Sequence, residues 1–274
     1  MKIDTILTPA ELPALAKRDL RETLCVVFDV LRATSTFVTA LHNGAKAIIP
    51  VGEIAEALAF KKAESGKRKA ETILLGGERD GVKIRAAQTG ETDFDLGNSP
   101  RECTPEKVRG RTIVSTTTNG TRALRTCVGA KTVLAGSFLN LTATAEFIKQ
   151  LQPMEVLLVC AGTREDRADE DVLAAGALCE LLDGLNLECG DASPLSKAPT
   201  YRRNPQFSDS AQIARQFYAQ AKSDLAAAVS KATNARRLLA IPELRDDVAF
   251  CLQRDIFLLI AKMEADGAIR RQPV

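Results

Sequence analysis

The sequence predicts an α/β protein in three layers, with helices on both faces of a mostly parallel or mixed sheet. Three observations carry this prediction. The runs "TLCVVFDV", "AKAIIPVG", "ETILLGG", "RTIVST", "KTVLAGS" and "EVLLVCAG" are apolar on nearly every residue, the pattern of strands covered on both faces. Helical patterns lie between them, so strand and helix alternate along the chain. Several of the runs lead into polar, glycine-containing text and then a helix, as in "FDVLRATST", "STTTNGTR" and "CAGTREDRADED". In open α/β sheets, ligands bind where such loops gather, beyond the carboxyl ends of the strands.

The elements follow in order. After "FDV", Phe37, Val38, Ala40 and Leu41 fall at helical spacing and Gly44 ends the segment; "EIAEALAFKKAESG" repeats that pattern and again ends in glycine. After "TIV", Ala123, Leu124, Cys127 and Val128 recur at helical spacing. Asn119-Gly120 therefore reads as part of a strand-to-helix loop rather than a hairpin turn. Residues 190–208, with three prolines and little periodicity, read as a long surface loop. Beyond them, "DSAQIARQFYAQAKSDLAAAVSKA" and "PELRDDVAFCLQRDIFLLIAKMEADG" read as two helical patterns packed on the sheet. A homodimer face is the other reading of their apolar stripes. The chain, 1–274, reads as one α/β domain, with two similar packed subdomains at about 1–130 and 131–274 as the alternative arrangement.

Composition excludes several functions. Hydrophobic residues make up 45% and charged residues 26% of the 274, and no stretch approaches the run of about 18 apolar residues that spans a bilayer. The start, "MKIDTILTPAELPAL", lacks the basic-then-apolar order of a signal peptide, so a cytoplasmic protein is expected. Seven cysteines stand singly, without zinc or dithiol spacing, and read as reduced, buried small residues. Lys and Arg total 37 against 35 acidic residues, with no Trp and two Tyr, which disfavours a nucleic-acid groove. The single histidine, His42, sits before Asn43-Gly44 and reads as a last-turn residue that the helix dipole favours, not a catalyst. Two-histidine metal sites and histidine-based phosphatase mechanisms are thereby excluded. Neither G-x-x-x-x-G-K-[ST], G-x-G-x-x-G nor G-x-S-x-G occurs.

The loops themselves carry chemistry. "STTTNGTR" enters a helix, where unpaired N–H groups and the helix dipole attract an anion. Thr116, Thr117, Thr118, Asn119 and Thr121 add donors, Gly120 allows close approach and Arg122 brings a fixed charge, which together read as a phosphate or sulfonate cradle. The plainer reading is an N-cap threonine among solvated neighbours. "FDVLRATST" sets Asp29 at a strand end with Arg32, Thr34, Ser35 and Thr36 after it, a grouping that suits magnesium and a phosphate as well as a helix cap. "LLGGERDG" supplies Glu78, Arg79 and Asp80, and "TDFDLGNSP" supplies Asp93, Asp95, Asn98 and Ser99. Ser99-Pro100 also reads as N-cap and first helical position. "CAGTREDRADEDVLAAG" adds Gly162, Thr163, Glu170 and Asp171, the last two also readable as dipole complements in a first turn. Cys160 beside that loop reads as an inert strand-end residue. The residue kit as a whole favours metal-assisted chemistry on a small phosphorylated substrate.

These motifs resemble those of the 2-phosphosulfolactate phosphatase family, magnesium-dependent enzymes of coenzyme M biosynthesis. The matching text is "FDVLRATSTFVTALHNGA", "LLGGERDG", "FDLGNSP", "TTTNGTRAL", "GSFLN", "CAGT", "EDVLAAGA" and "DDVAFCLQRD", in the family's order across residues 25 to 255. The chain departs from the family at Asp80, where glycine is frequent, and in the longer, polar "VKIRAAQTGETD". The resemblance implies a three-layer fold, magnesium, and hydrolysis of 2-phosphosulfolactate to 3-sulfolactate and phosphate. Under it, Asp29, Arg32, Glu78 and Arg79 are the candidate catalytic residues. Asp29, Glu78 and Asp95 are the first candidates for holding the metal, then Glu170 and Asp171. Thr34, Ser35, Asn98, Ser99, the loop from Thr116 to Arg122, Gly162 and Thr163 are candidates for the substrate. Arg32, Arg79 and Arg122 would neutralise phosphate and the distal sulfonate or carboxylate. The competing class is a protein that binds such a metabolite without turning it over. A phosphosugar isomerase or lyase, with a base such as Lys83, ranks behind both.

Overall fold

All six apolar runs are strands, and helices separate them as the alternation requires. The computed structural model describes residues 1–65, 73–184 and 205–273. The strands are β1 (Lys2–Ile6), β2 (Thr23–Phe28), β3 (Ala47–Pro50), β4 (Ile73–Arg79), β5 (Val82–Lys83), β6 (Thr112–Thr116), β7 (Thr132–Gly136), β8 (Glu155–Cys160), β9 (Gln206–Phe207), β10 (Ile260–Met263) and β11 (Ile269–Gln272). The helices are α1 (Leu12–Leu15), α2 (Ala33–His42), α3 (Ile54–Ser65), α4 (Ala86–Thr89), α5 (Pro105–Val108), α6 (Gly120–Thr126), α7 (Leu141–Leu151), α8 (Asp169–Asp183), α9 (Asp209–Ala221), α10 (Leu225–Ser230), α11 (Thr233–Leu239) and α12 (Arg245–Cys251).

The strands form one mixed sheet in the order β5-β4-β6-β3-β11-β10-β7-β2-β8-β1-β9. Two parallel blocks, β4-β6-β3 and β7-β2-β8-β1-β9, are joined through the β10–β11 hairpin, which runs antiparallel to β7 and β3. Parallel neighbours need crossover connections, and the helices between the runs provide them.

Alternation along the strands sets the layers. Leu24, Val26 and Phe28 of β2 join α7, α8 and α9 in one core cluster, whereas Cys25 and Val27 face α2 and α6. In β6, Ile113 joins the α2 and α6 side and Val114 packs with Ala57 of α3 on the other. Fully burying a side chain such as Phe28 contributes about 1.5–3 kcal/mol, so both faces of the sheet need helical cover. Where α8 crosses α9, a Cβ on Gly176 would stand 2.1 Å from the Ala214 carbonyl oxygen, so glycine is what lets the two helices meet.

Three expectations change. The second C-terminal pattern is helical only at α12; "IAKM" is β10 and turns through Gly267, φ 78°, into β11. A short apolar run fits strand and helix equally by periodicity alone, and the hairpin turn decides it. The amphipathic text at 209–232 divides into α9 and α10, with α11 following outside it, and α9 buries Ala211, Ala214 and Tyr218 in the core beside α8. Of the loop at 190–208, residues 190–204 lie outside the described residues, Gln206–Phe207 is β9, and the Ser208 hydroxyl caps α9 by accepting from the Ala211 N–H. His42 ends α2 and stacks on Phe257, with 4.0 Å between ring centroids. Cys25, Cys103, Cys127, Cys160, Cys179 and Cys251 are free and buried. No helix among the described residues is long and apolar enough to cross a membrane.

Candidate active site

Loops at the carboxyl ends of β2, β4, β6 and β8 converge on one cleft of about 570 Å³, part of it open to solvent. The strands deliver Asp29, Glu78, Thr118 and Gly162 respectively, and α11 closes a further side with Asn234, Arg237 and Leu238. At the buried end, Asp29, Arg32 and Glu78 are each less than a tenth exposed.

Asp29 is the most perturbed group of the cleft whose side chain lines it. Burial, then the negative charges of Glu78 and Glu170, push its carboxyl up to about 7, although the Ala33 N–H donates to Oδ1 at 3.1 Å and Arg32 acts in the opposite sense. A carboxylate out of water and beside like charges resists ionising. Local sequence enforces the crowding: a Cβ on Gly120 would lie 2.4 Å from Asp29 Oδ2 and 2.7 Å from the Ala33 Cβ, so only glycine lets the start of α6 approach.

The neighbouring carboxylates hold the loops. Glu78 Oε1 accepts from the Thr118 N–H at 2.8 Å and the Thr118 hydroxyl at 2.9 Å, and Oε2 accepts from the Gly81 N–H at 2.6 Å. Asp171, buried at the start of α8, accepts from the Val30 N–H at 2.7 Å and the Gly162 N–H at 3.0 Å, tying the ends of β2 and β8 together. Burial, Asp29 and Glu170 raise its carboxyl well above the usual range. Glu170 stands behind Asn234, which donates to Oε1 at 2.9 Å; Oε2 is buried without a hydrogen-bond partner, and burial raises this carboxyl also.

Arg32 is fixed by a side chain far along the chain. Its guanidinium donates at 2.7 Å to Asp247 Oδ2, on α12, and at 2.7 Å to the Gly81 carbonyl. Asp247, fully buried, spends its other oxygen on the Ser99 hydroxyl at 2.7 Å. A guanidinium carries five N–H donors, so the fork keeps donors for a ligand after these two bonds.

The model of the 2-phosphosulpholactate phosphatase family matches residues 7–266. A protein of Caldanaerobacter subterraneus subsp. tengcongensis, named probable 2-phosphosulfolactate phosphatase, is 39% identical over 254 residues, covering 92% of each chain. Proteins of the same name from Thermotoga maritima and Clostridium acetobutylicum are 38% and 34% identical, covering 85% of both chains and 95% and 96% respectively. The chain belongs to the 2-phosphosulfolactate phosphatase family.

Of the family motifs read in the sequence, the structure brings Asp29, Arg32, Glu78, Asn98, Thr118, Asn119, Gly162 and Thr163 to the cleft lining. Others it turns elsewhere. Asp95 accepts from the Leu75 N–H and the Lys61 ammonium, and Arg79 donates to Thr116 Oγ1 and to the Glu78 carbonyl, so neither lines the cleft. Arg122 pairs with Glu165 at 2.8 Å and, with Thr117, Thr118, Thr121 and Arg125, lines a second open depression beside the cleft. The threonine cradle is closed by its own bonds. Thr117 and Thr121 cross-bond through N–H and hydroxyl, the Thr116 hydroxyl donates to the Gly52 carbonyl, and the Thr118 donors go to Glu78. Thr34 and Ser35 return their hydroxyls to the carbonyls of Asp29 and Val30, and Ser99 is given to Asp247. The hydroxyls of these residues bond nearby backbone and side chains, as helix-entrance hydroxyls do. Gly120 serves through the space it leaves for Asp29, and Glu170 and Asp171 stand behind the lining.

The sequence reading missed Asp247, Arg164, Asn234 and Arg237. Asp247 lay within the quoted "DDVAFCLQRD" and Arg164 in "CAGTRED", whereas Asn234 and Arg237 lay in "TNARRLLAI", between the two helical patterns and assigned to neither. The one signal was charge on an otherwise apolar pattern, which a solvated helix face shows equally.

Proposed function

We propose that this chain is a metal-dependent phosphoric monoester hydrolase that cleaves 2-phosphosulfolactate with water to 3-sulfolactate and phosphate, with magnesium as the cation and the cytoplasm as its place of action. The whole chain is proposed to work as one unit, since the cleft draws on both parallel blocks of the sheet. The observation that carries the reading is Asp29. A carboxyl that lines the cleft, pushed up to about 7 by burial and by Glu78 and Glu170, beside a buried arginine at the carboxyl ends of parallel strands, supports a functional role for Asp29.

The donor set fits a hard cation. The buried end gathers carboxylates whose charge is under-compensated, and Glu170 Oε2 is an orphan oxygen. Among the described residues no three His, Cys, Asp or Glu side chains form a metal cage. Magnesium needs no such cage, being usually held by one or two carboxylates with water and phosphate completing its shell. Asp29 and Glu78 line the cleft and would hold it, with Glu170 behind them. Such an ion supplies Lewis-acid polarisation of the phosphoryl group and lowers the pKa of bound water.

The chain's own groups do the rest. Arg32, held on two sides, offers its free N–H donors to phosphate oxygens, where a fork matches them in pairs. Glu78 locks Thr118 and Gly81, so the walls on either side of the phosphate stay in register. Asp29 stands where it can hold charge or a proton at Oδ2 beside the reacting group, with Oδ1 fixed by the Ala33 N–H. Preorganised charge of this kind is a large part of enzymatic phosphoryl transfer.

The test is phosphate release from 2-phosphosulfolactate by the purified protein, with magnesium and then with excess chelator. Chelator-sensitive release is expected. Binding of the ester without any release would replace the hydrolase by a metabolite-binding protein.

A further inference from the structure

We infer that Arg164 and Arg237, converging on Asp80 at the exposed end of the cleft, form a subsite for the distal sulfonate of the substrate. The inference deepens the phosphatase reading and rests on it for the identity of the ligand.

The two guanidiniums reach the same atom. Arg237 donates to Asp80 Oδ1 at 3.1 Å, and the Arg164 guanidinium lies 3.6 Å from that oxygen. They come from separate elements, α11 and the loop between β8 and α8, while Asp80 stands in the turn between β4 and β5. An anionic oxygen position is thus already defined at the mouth, and the Asp80 carboxylate fills it.

The pieces are held there. Arg164 has φ 57° and Asp80 φ 55°, left-handed backbone that non-glycine residues seldom adopt. The side chain of cleft-lining Asn119 pins the Arg164 backbone from both sides, accepting from its N–H at 3.2 Å and donating to its carbonyl at 3.0 Å. The same amide donates to the Ala161 carbonyl at 2.9 Å, so the register of Arg164 is tied to the end of β8.

Charge and exposure make Asp80 replaceable. The side chains of Asp80 and Arg164 are about three-quarters exposed, at 74% and 76%. Exposed ion pairs are worth about 0–1 kcal/mol, so a ligand anion displaces the carboxylate at little cost. Two arginines face one aspartate, which leaves one positive charge uncompensated. Arg32 is the arginine assigned to the phosphate, and Arg122 is paired with Glu165 outside the cleft lining. In 2-phosphosulfolactate the phosphate is on C2 and the carboxylate is C1, while the sulfonate on C3 reaches one bond farther. With the phosphate at Arg32, the sulfonate is the arm that reaches the mouth. Its oxygens are ionised at every working pH and match guanidinium forks.

The experiment is calorimetric titration of 3-sulfolactate and, separately, of inorganic phosphate into the full chain with magnesium. Arg164→Gln and Arg237→Gln should each weaken 3-sulfolactate about three- to fivefold, the worth of one partly exposed charge pair, while phosphate affinity stays within about 1.5-fold. Asp80→Asn should act in the opposite direction and tighten 3-sulfolactate. In turnover, both arginine variants should lower the preference for 2-phosphosulfolactate over phosphoglycolate, which lacks the sulfonate. Unchanged 3-sulfolactate binding in both variants, or parallel weakening of 3-sulfolactate and phosphate, would overturn the subsite. Failure of the wild-type chain to release phosphate from 2-phosphosulfolactate would instead refute the hydrolase reading, and the titration would still decide the subsite.

Discussion

The two ends of the cleft use the same kinds of side chain under opposite conditions. At the buried end, Arg32 and Asp247 are 3% and 0% exposed and form a pair at 2.7 Å, with every oxygen of Asp247 bonded. At the mouth, Arg164, Arg237 and Asp80 meet at longer distances in water. Burial raises the energetic stakes of each charge, so the inner pair is a fixed part of the architecture. Solvent lowers them, so the outer group can exchange partners. The proposed roles follow that difference: rigid side chains around the reacting phosphate, and side chains that can exchange partners around the distal group.

The largest effect tests the inner end. Asp29→Asn should reduce phosphate release by roughly three orders of magnitude, as loss of a group that acts at the reacting centre does, with the fold intact by circular dichroism. Near-normal turnover would remove Asp29 from the chemistry. The same variant should be more stable than wild type in the metal-free state. The Asp29 carboxyl titrates near 7 when folded against an ordinary 3.8, so the folded chain holds its proton longer than the unfolded one. The contribution of Asp29 is full below about pH 4 and is lost as pH rises through about 7. Melting of the metal-free wild type and variant should therefore diverge over that window, the variant melting higher at pH 8, and magnesium should narrow the gap. Identical melting curves at pH 5 and pH 8 would show that Asp29 is not under electrostatic strain.

A second test separates positioning from mere support. Asp247→Asn leaves Arg32 buried without a counter-charge and should cost about 3–5 kcal/mol of stability. The double variant Arg32→Met with Asp247→Asn should regain much of that stability yet remain as inactive as Arg32→Met alone. If the double variant recovers activity along with stability, Arg32 does not act on the phosphate and the Arg32–Asp247 pair only supports the fold. The smallest effect belongs outside both ends. Arg122→Ala should leave phosphate inhibition within about twofold, because Arg122 is exposed and paired with Glu165. A tenfold change would return the loop to the role of an anion cradle.

The contrast between the two ends also marks how much could be read in advance. Asp29, Arg32, Glu78 and Asn119 were legible because each lies at or just beyond the end of a strand, and strand ends in an α/β sheet share one edge region; Asn98, in the loop after α4, was legible only through the motif that carries it. The threonine run was legible as a loop but not as a filled one: whether Thr118 donates to a ligand or to Glu78 depends on where β4 lies beside β6, a pairing between residues 73–77 and 112–116. Asp95 looked equivalent to Asp93 and Glu78 in text, and only the fold turns it to Leu75 and Lys61.

The sequence by itself determined the α/β class, the six main strands and the gathering of loops, because periodicity, composition and local turn residues act over a few positions. Tertiary structure decided which charges meet. Asp247 reaches Arg32 across 215 positions and Arg237 reaches Asp80 across 157, and contacts of that span are set by how helices cross a coiled sheet, which no local pattern encodes.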